Sequence, residues 1–219
     1  MWHAWSSCPA RSYSTDEHEI RQFWDPVSSD LHGPLPPSHG SKYVCDINFV
    51  GYTGLIDVHG LTDKTSEATA QVLQTFLGDT AHIDRTTTTL TDGGTEFMGE
   101  RMGLCLNQQQ EHRIAAAYYH DGDGKAERAW RTLLSKTRAM LHNARLGWRH
   151  WFQALRRAAW IHDRTTDWTI DTPLQRAYGV VADLLMARAW GYLALAYRPD
   201  AQQHREDGKL GRRATWATI

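Results

Sequence analysis

The chain has 219 residues, 41% of them hydrophobic and 22% charged, with a formal net charge of −1 at pH 7. That is an ordinary globular composition, long enough for one real core plus a tail, and its near-neutral total argues against a general nucleic-acid coat protein. No apolar run approaches the roughly 18–20 residues of a membrane span, and the first residues lack the basic-then-apolar pattern of a secretory signal. Three widely spaced cysteines (Cys8, Cys45, Cys105), with no CxxC pair, point away from a disulfide framework and toward a reducing intracellular compartment.

In chain order, residues 1–22 are polar and without pattern, an N-terminal extension. Phe23 to Leu31 reads as a strand ending at Asp30, and residues 33–40, dense in Gly and Pro, as a loop. Tyr43 to Val50 and Thr53 to Val58 are two β-rich runs joined at Gly51-Tyr52, which predicts a hairpin. Asp63 to Phe76 carries Ala68, Val72, Leu73 and Phe76 at helical spacing. Thr86 to Thr91 is a β-branched run that Asp92-Gly-Gly ends. Phe97 to Gln110 is a predicted helix, His112 to Ala116 a short strand, and Gly122-Asp-Gly124 a flexible loop. Lys125 to Ala144 is the clearest helix, with Ala126, Ala129, Trp130, Leu133, Thr137, Met140, Leu141 and Ala144 on one apolar face. Gly147 breaks it, and a second amphipathic helix follows over Trp148 to His162. Arg188 to Tyr197 suggests a strand pair, and 200–219 a polar tail. No internal repeat is visible. The order of strands and helices predicts an α/β fold, a mixed sheet with helices packed on it.

Charge is unevenly distributed. Residues 1–100 hold five Lys/Arg against fourteen Asp/Glu, whereas residues 125–164 hold ten Lys/Arg against Glu127 and Asp163. A basic block can attract a polyanion while an acidic region attracts metal; the same block also suits two solvated helix faces that happen to be basic.

Three carboxylates stand out: Asp30, Asp92 and Glu127. The first two sit where a hydrophobic strand meets a Gly-containing turn, the third in the first turn of the long helix. Strand ends and a helix start can converge, and three convergent carboxylates would bind two hard divalent cations through oxygen. Each also has a plainer reading. Asp30 and Asp92 are ordinary turn acids near Gly. Glu127 suits a helix dipole or an i,i+4 pair with Arg131. Glu96 reads as a helix-start acid, and the tryptophans as core.

The motifs resemble the catalytic core of a retroviral-type integrase, most closely the copia-type retrotransposon branch. The resemblance runs through Asp30-Leu-His-Gly-Pro-Leu-Pro, Thr91-Asp-Gly-Gly-Thr-Glu-Phe97, Gly124-Lys-Ala-Glu-Arg-Ala-Trp-Arg-Thr-Leu134, Trp151-Phe-Gln-Ala-Leu155, Thr172-Pro-Leu-Gln-Arg-Ala-Tyr-Gly179 and Asp207-Gly-Lys-Leu210. It implies an RNase H-like fold with a five-stranded mixed sheet flanked by helices. It further implies a core over 23–180, a C-terminal extension over 181–219, and a remnant of the zinc-binding region over 1–22. Asp30, Asp92 and Glu127 would be the catalytic metal ligands for two Mg²⁺ or Mn²⁺ ions. Lys125, Arg128, Arg131, Lys136 and Arg138 would meet DNA. The implied activity is DNA end processing and strand transfer by a homo-oligomer, acting in the nucleus and not at a membrane.

The chain departs from that pattern in several places. Asp92 and Glu127 are separated by 34 residues, where the family usually has 35. The acidic pair expected before Tyr52-Thr53 is Val50-Gly51, and the family's Asn-Arg-x-Pro is Asp163-Arg-Thr-Thr166. Trp5 takes a cysteine's place near Cys8, so no zinc is expected. Two alternatives therefore stand beside the enzyme: a catalytically inactive nucleic-acid-binding remnant, and a domesticated interaction module of the same fold.

Overall fold

The computed structural model describes residues 24, 26–80, 88–92, 94–97, 111–114, 120–165, 171–185, 187–197 and 214–218. The expected extension over 1–22 and most of the helix expected over Phe97 to Gln110 lie outside them. Strands β1 (Val27–His32), β2 (Cys45–Val50), β3 (Ile56–Leu61), β4 (Thr88–Thr91) and β5 (Glu111–Ile114) form one sheet in the order β3-β2-β1-β4-β5. β1 is antiparallel to β2 and β2 to β3, while β1, β4 and β5 run parallel. The helices are α1 (Ser66–Thr80), α2 (His120–Ala144), α3 (Trp151–Arg164) and α4 (Pro173–Tyr178). β6 (Leu193–Tyr197) and β7 (Ala214–Thr218) pair as a separate antiparallel ribbon. The fold is thus mixed α/β, a mixed sheet flanked by helices. Among the described residues, no helix is long and apolar enough to cross a membrane.

Pleating divides the core in two, because successive strand residues point to opposite faces. Val27, Leu31, Cys45, Ile47, Phe49 and Leu61 pack with Ala70, Leu73 and Phe76 of α1 on one face. Phe49 stacks on Phe76 at 4.2 Å, and Trp24 meets the same ring edge-on at 5.1 Å. On the other face, Val50, Ile56 and Val58 meet Ala126 and Leu133 of α2, and Trp151, Phe152, Leu155, Ala158 and Ala159 of α3. All six residues of β2 are buried, the pattern of a strand covered on both sides.

Several boundaries differ from the sequence expectations. β1 continues past Asp30 to His32 because β2 goes on pairing with it, His32 lying opposite Asp46. α2 begins at His120, so the stretch read as a Gly122–Gly124 loop is helical and Glu127 lies two turns inside rather than in the first turn. Each glycine costs about 1 kcal/mol in a helix, and the buried apolar face from Ala126 onward outweighs that cost. α3 starts at Trp151, after a 3₁₀ turn over Trp148–His150. The stretch expected to hold a strand pair contributes one strand, and its partner β7 lies in what reads as a polar tail. The short helix α4 follows a visible signal. Thr172 caps it by accepting from the Gln175 N–H at 3.0 Å, Pro173 opens it, and Gly179 closes it in the left-handed region.

The end of α3 is tied to the start of β3 by Asp163, whose Oδ1 accepts from the Ile56 N–H at 3.0 Å. Asp163 lines a cleft of about 180 Å³ between these elements, and burial raises its pKa to about 7. The folded chain therefore holds a proton on this carboxyl that the unfolded chain releases near pH 4. The Asp163 contribution to stability falls as pH rises from about 4 to 7, and its deficit is complete above pH 7. Asn fits the same bond without a charge. Asp163→Asn is expected to be more stable by about 2–4 kcal/mol at pH 8, with the gain vanishing toward pH 4. Urea unfolding across that range checks this, and a gain independent of pH would contradict it.

Candidate functional site

Asp30 lies in β1 opposite Asn48 of β2. Two residues on, His32 stacks on Trp130 of α2 with ring centroids 4.1 Å apart and planes within 5°. By the strand period of two, Asp30 and His32 share the face that α2 covers, and His32 Nε2 lies 3.6 Å from Asp30 Oδ2. Asn48 reaches from β2 across the same face and donates to the Ala126 carbonyl at 3.2 Å. The residue facing Asp30 thus holds the backbone immediately before Glu127.

Asp92 follows β4, which runs parallel to β1 with Val27 opposite Thr89 and Ser28 opposite Leu90. The same offset carried two residues further sets Asp92 level with Asp30 on the neighbouring chain segment, facing the same side. Asp92 Oδ1 accepts from the Gly94 N–H at 3.2 Å. A Cβ on Gly94 would come within 3.0 Å of that oxygen and 2.9 Å of the Glu96 carboxylate, so two acids flank one glycine. Glu96 itself sits in a 3₁₀ turn over Thr95–Phe97.

Glu127 projects from α2 into solvent, its side chain 54% exposed, and pairs with Arg131 one turn on. Among the described residues, no three His, Cys, Asp or Glu side chains converge closely enough to hold a metal ion. The structure therefore brings Asp30 and Asp92 to one level and the backbone of Glu127 to the sheet, while the Glu127 carboxylate lies on Arg131.

A fourth acid escaped the sequence reading. Asp46 lies opposite His32 on β2, wholly buried, and neither carboxylate oxygen has a hydrogen-bond partner. Burial, and secondarily the Asp30 charge, push its pKa well above the usual carboxylate range. Burial also lowers His32 to about 4, so this histidine is neutral at pH 7 and adds no positive charge beside Asp30. The signal was available in Cys45-Asp-Ile-Asn-Phe-Val50, where apolar residues alternate with Asp46 and Asn48.

The five basic residues of α2 divide into two groups. Arg128, Arg131 and Arg138 are exposed, while Lys125 and Lys136 are half-buried, and helical spacing places the three arginines along one stripe. Lys125 Nζ donates to the Gly51 carbonyl at 2.7 Å and the Tyr52 carbonyl at 3.0 Å, so it clamps the β2–β3 turn to α2. Burial, then the nearby Arg176 and Arg128 charges, lower its pKa to about 8.

No protein-family model matches the chain, and no curated protein matches it.

Lys125→Ala removes two hydrogen bonds from a partly buried ammonium and is expected to cost about 1–3 kcal/mol of stability. Arg131→Ala breaks only an exposed i,i+4 pair and is expected to cost less than about 1 kcal/mol. Denaturant unfolding of the two variants checks the contrast, and equal effects would show that the clamp contributes no more than the exposed pair.

Proposed function

We propose that the chain is a metal-dependent polynucleotidyl transferase of the integrase type, built on an RNase H-like fold. One feature carries the reading: the parallel register of β1 and β4, extended two residues past its last pair, sets Asp92 level with Asp30, beside a helix that Asn48 fastens to the same sheet face. The strand order and the basic stripe on α2 lend further support.

The donor set suits Mg²⁺ or Mn²⁺, since hard cations take carboxylate oxygen. Asp30 and Asp92 would supply two ligands and Glu127 the third once it leaves Arg131. That exposed pair is worth about 0–1 kcal/mol, a small barrier to exchange. Bound metals would activate the attacking oxygen and neutralise the leaving one in a phosphodiester displacement. The remaining work falls to the chain. Asn48 fixes the helix backbone relative to Asp30. Neutral His32, stacked on Trp130, lines one side of it. Arg128 and Arg138 face phosphates, and Arg131 joins them when Glu127 turns away. DNA would be the substrate, the nucleus the site of action, and a homo-oligomer the working form.

The Glu127–Arg131 pair and the 34-residue spacing favour a second reading, a nucleic-acid-binding relative without catalysis. A nicking and strand-transfer assay on labelled duplex DNA with Mg²⁺ or Mn²⁺ separates the two. Metal-dependent products are expected from the intact chain and not from Asp30→Asn, Asp92→Asn or Glu127→Gln. Circular dichroism should show each variant folded. Absence of products from the folded intact chain, with salt-sensitive DNA binding retained, would sink the transferase and support the second reading.

A further inference from the structure

Three cations gather where the β2–β3 turn meets α2 and α4, and two glycines make room for two of them. Arg176, on α4, places Nη2 3.3 Å from where a Cβ on Gly54 would sit. Gly54 has φ +91°, a conformation that itself favours glycine. Arg128 places Nη1 3.0 Å from the corresponding point on Gly124. Between them, Lys125 spends two donors on the Gly51 and Tyr52 carbonyls, which leaves one of its three for a ligand. Tyr52 is 51% exposed beside this ammonium, its ring centroid 5.7 Å away.

Among the described residues, no carboxylate pairs with any of the three cations. Glu127, next to Arg128 in the sequence, is taken by Arg131. Arg176 and Arg128 are close enough to Lys125 for their charges to disfavour its charged form. Both guanidiniums are exposed and carry forked donors suited to phosphate oxygens.

We propose that Lys125, Arg128 and Arg176 form a phosphate-binding site at the β2–β3 turn, with Tyr52 at its rim. The site deepens the nucleic-acid reading by adding Arg176, from an element outside the long basic helix. Its ligand is a phosphate group, drawn from a nucleic-acid backbone or from free phosphate.

Two measurements on the full chain test it. In fluorescence anisotropy of a labelled duplex over a KCl series, Arg176→Gln is expected to bind about 3–10-fold more weakly, with a salt slope shallower by about one phosphate contact. Arg149→Gln, an exposed basic change elsewhere, should match wild type. In thermal unfolding with millimolar inorganic phosphate against KCl of equal ionic strength, phosphate should raise the melting temperature of wild type and not of Arg176→Gln. A loss confined to the duplex arm assigns the site to a nucleic-acid backbone, and a loss confined to the phosphate arm assigns it to free phosphate. No difference in either arm overturns the proposal. The catalytic reading fails separately: Arg176-dependent binding without nicking leaves the phosphate site standing, and nicking with unchanged Arg176→Gln binding does the reverse.

Discussion

The candidate site depends on β2, a strand buried along its whole length that carries polar groups toward one helix. Cys45, Ile47 and Phe49 face α1 and anchor the strand by apolar burial, worth about 1.5–3 kcal/mol for a large side chain. The opposite face presents Asp46 and Asn48 to α2. Burying an amide without partners costs about 1–3 kcal/mol, and Asn48 recovers part of that through its bond to the Ala126 carbonyl. This bond ties the register of β1 and β2 to the position of α2. With the His32–Trp130 stack and the Lys125 clamp, it gives the two acids on the sheet and the acid on the helix a common frame. Asp46 has no such recovery, so the apolar face of the strand must carry its cost.

The basic block over 125–164 does not form one surface. Arg157 and Arg164 both lie over Trp160, at 4.0 and 4.4 Å from its ring centroid, interactions that suit guanidinium and indole. Lys125 holds a turn, and Lys136 faces the Asp163 end of α3 closely enough to be felt there. Arg131 meets Glu127. About half of the segment's basic residues are thus engaged in local structure, and the exposed remainder, Arg128, Arg138, Arg145, Arg149 and Arg156, is spread from α2 to α3.

The elements with strong periodicity were legible in the sequence. α2 and α3 follow from apolar residues at helical spacing, and β2 to β3 from β-rich runs around Gly51. What escaped depended on tertiary context. Gly122 and Gly124 read as a loop because local propensity disfavours helix there, whereas packing from Ala126 onward extends it. The far end of β1 depends on pairing with Asp46, which no local pattern announces. Asp30 and Asp92 were legible as residues, yet their common level comes from the parallel register of β1 and β4. The clamp made by Lys125 was not legible, because its partners are carbonyls more than seventy positions away. Glu127 was named both as a ligand and as a partner of Arg131, and the second of these is the arrangement present.

That arrangement has an electrostatic reason. Two carboxylates at the spacing of neighbouring strands, about 5 Å, repel each other by roughly 1 kcal/mol in water and about 3 kcal/mol at the effective dielectric of a protein surface. Adding a third negative charge would raise that repulsion, while an exposed salt bridge to Arg131 gains up to about 1 kcal/mol. Both effects turn Glu127 outward in a chain without cations. A divalent cation held by Asp30 and Asp92 would reverse the sign of the local field, and attraction would then outweigh the exposed pair. Separation of Glu127 from the sheet acids is therefore the arrangement that Coulomb's law favours for a two-metal site before its metals arrive, and it is equally the resting arrangement of a helix that only binds.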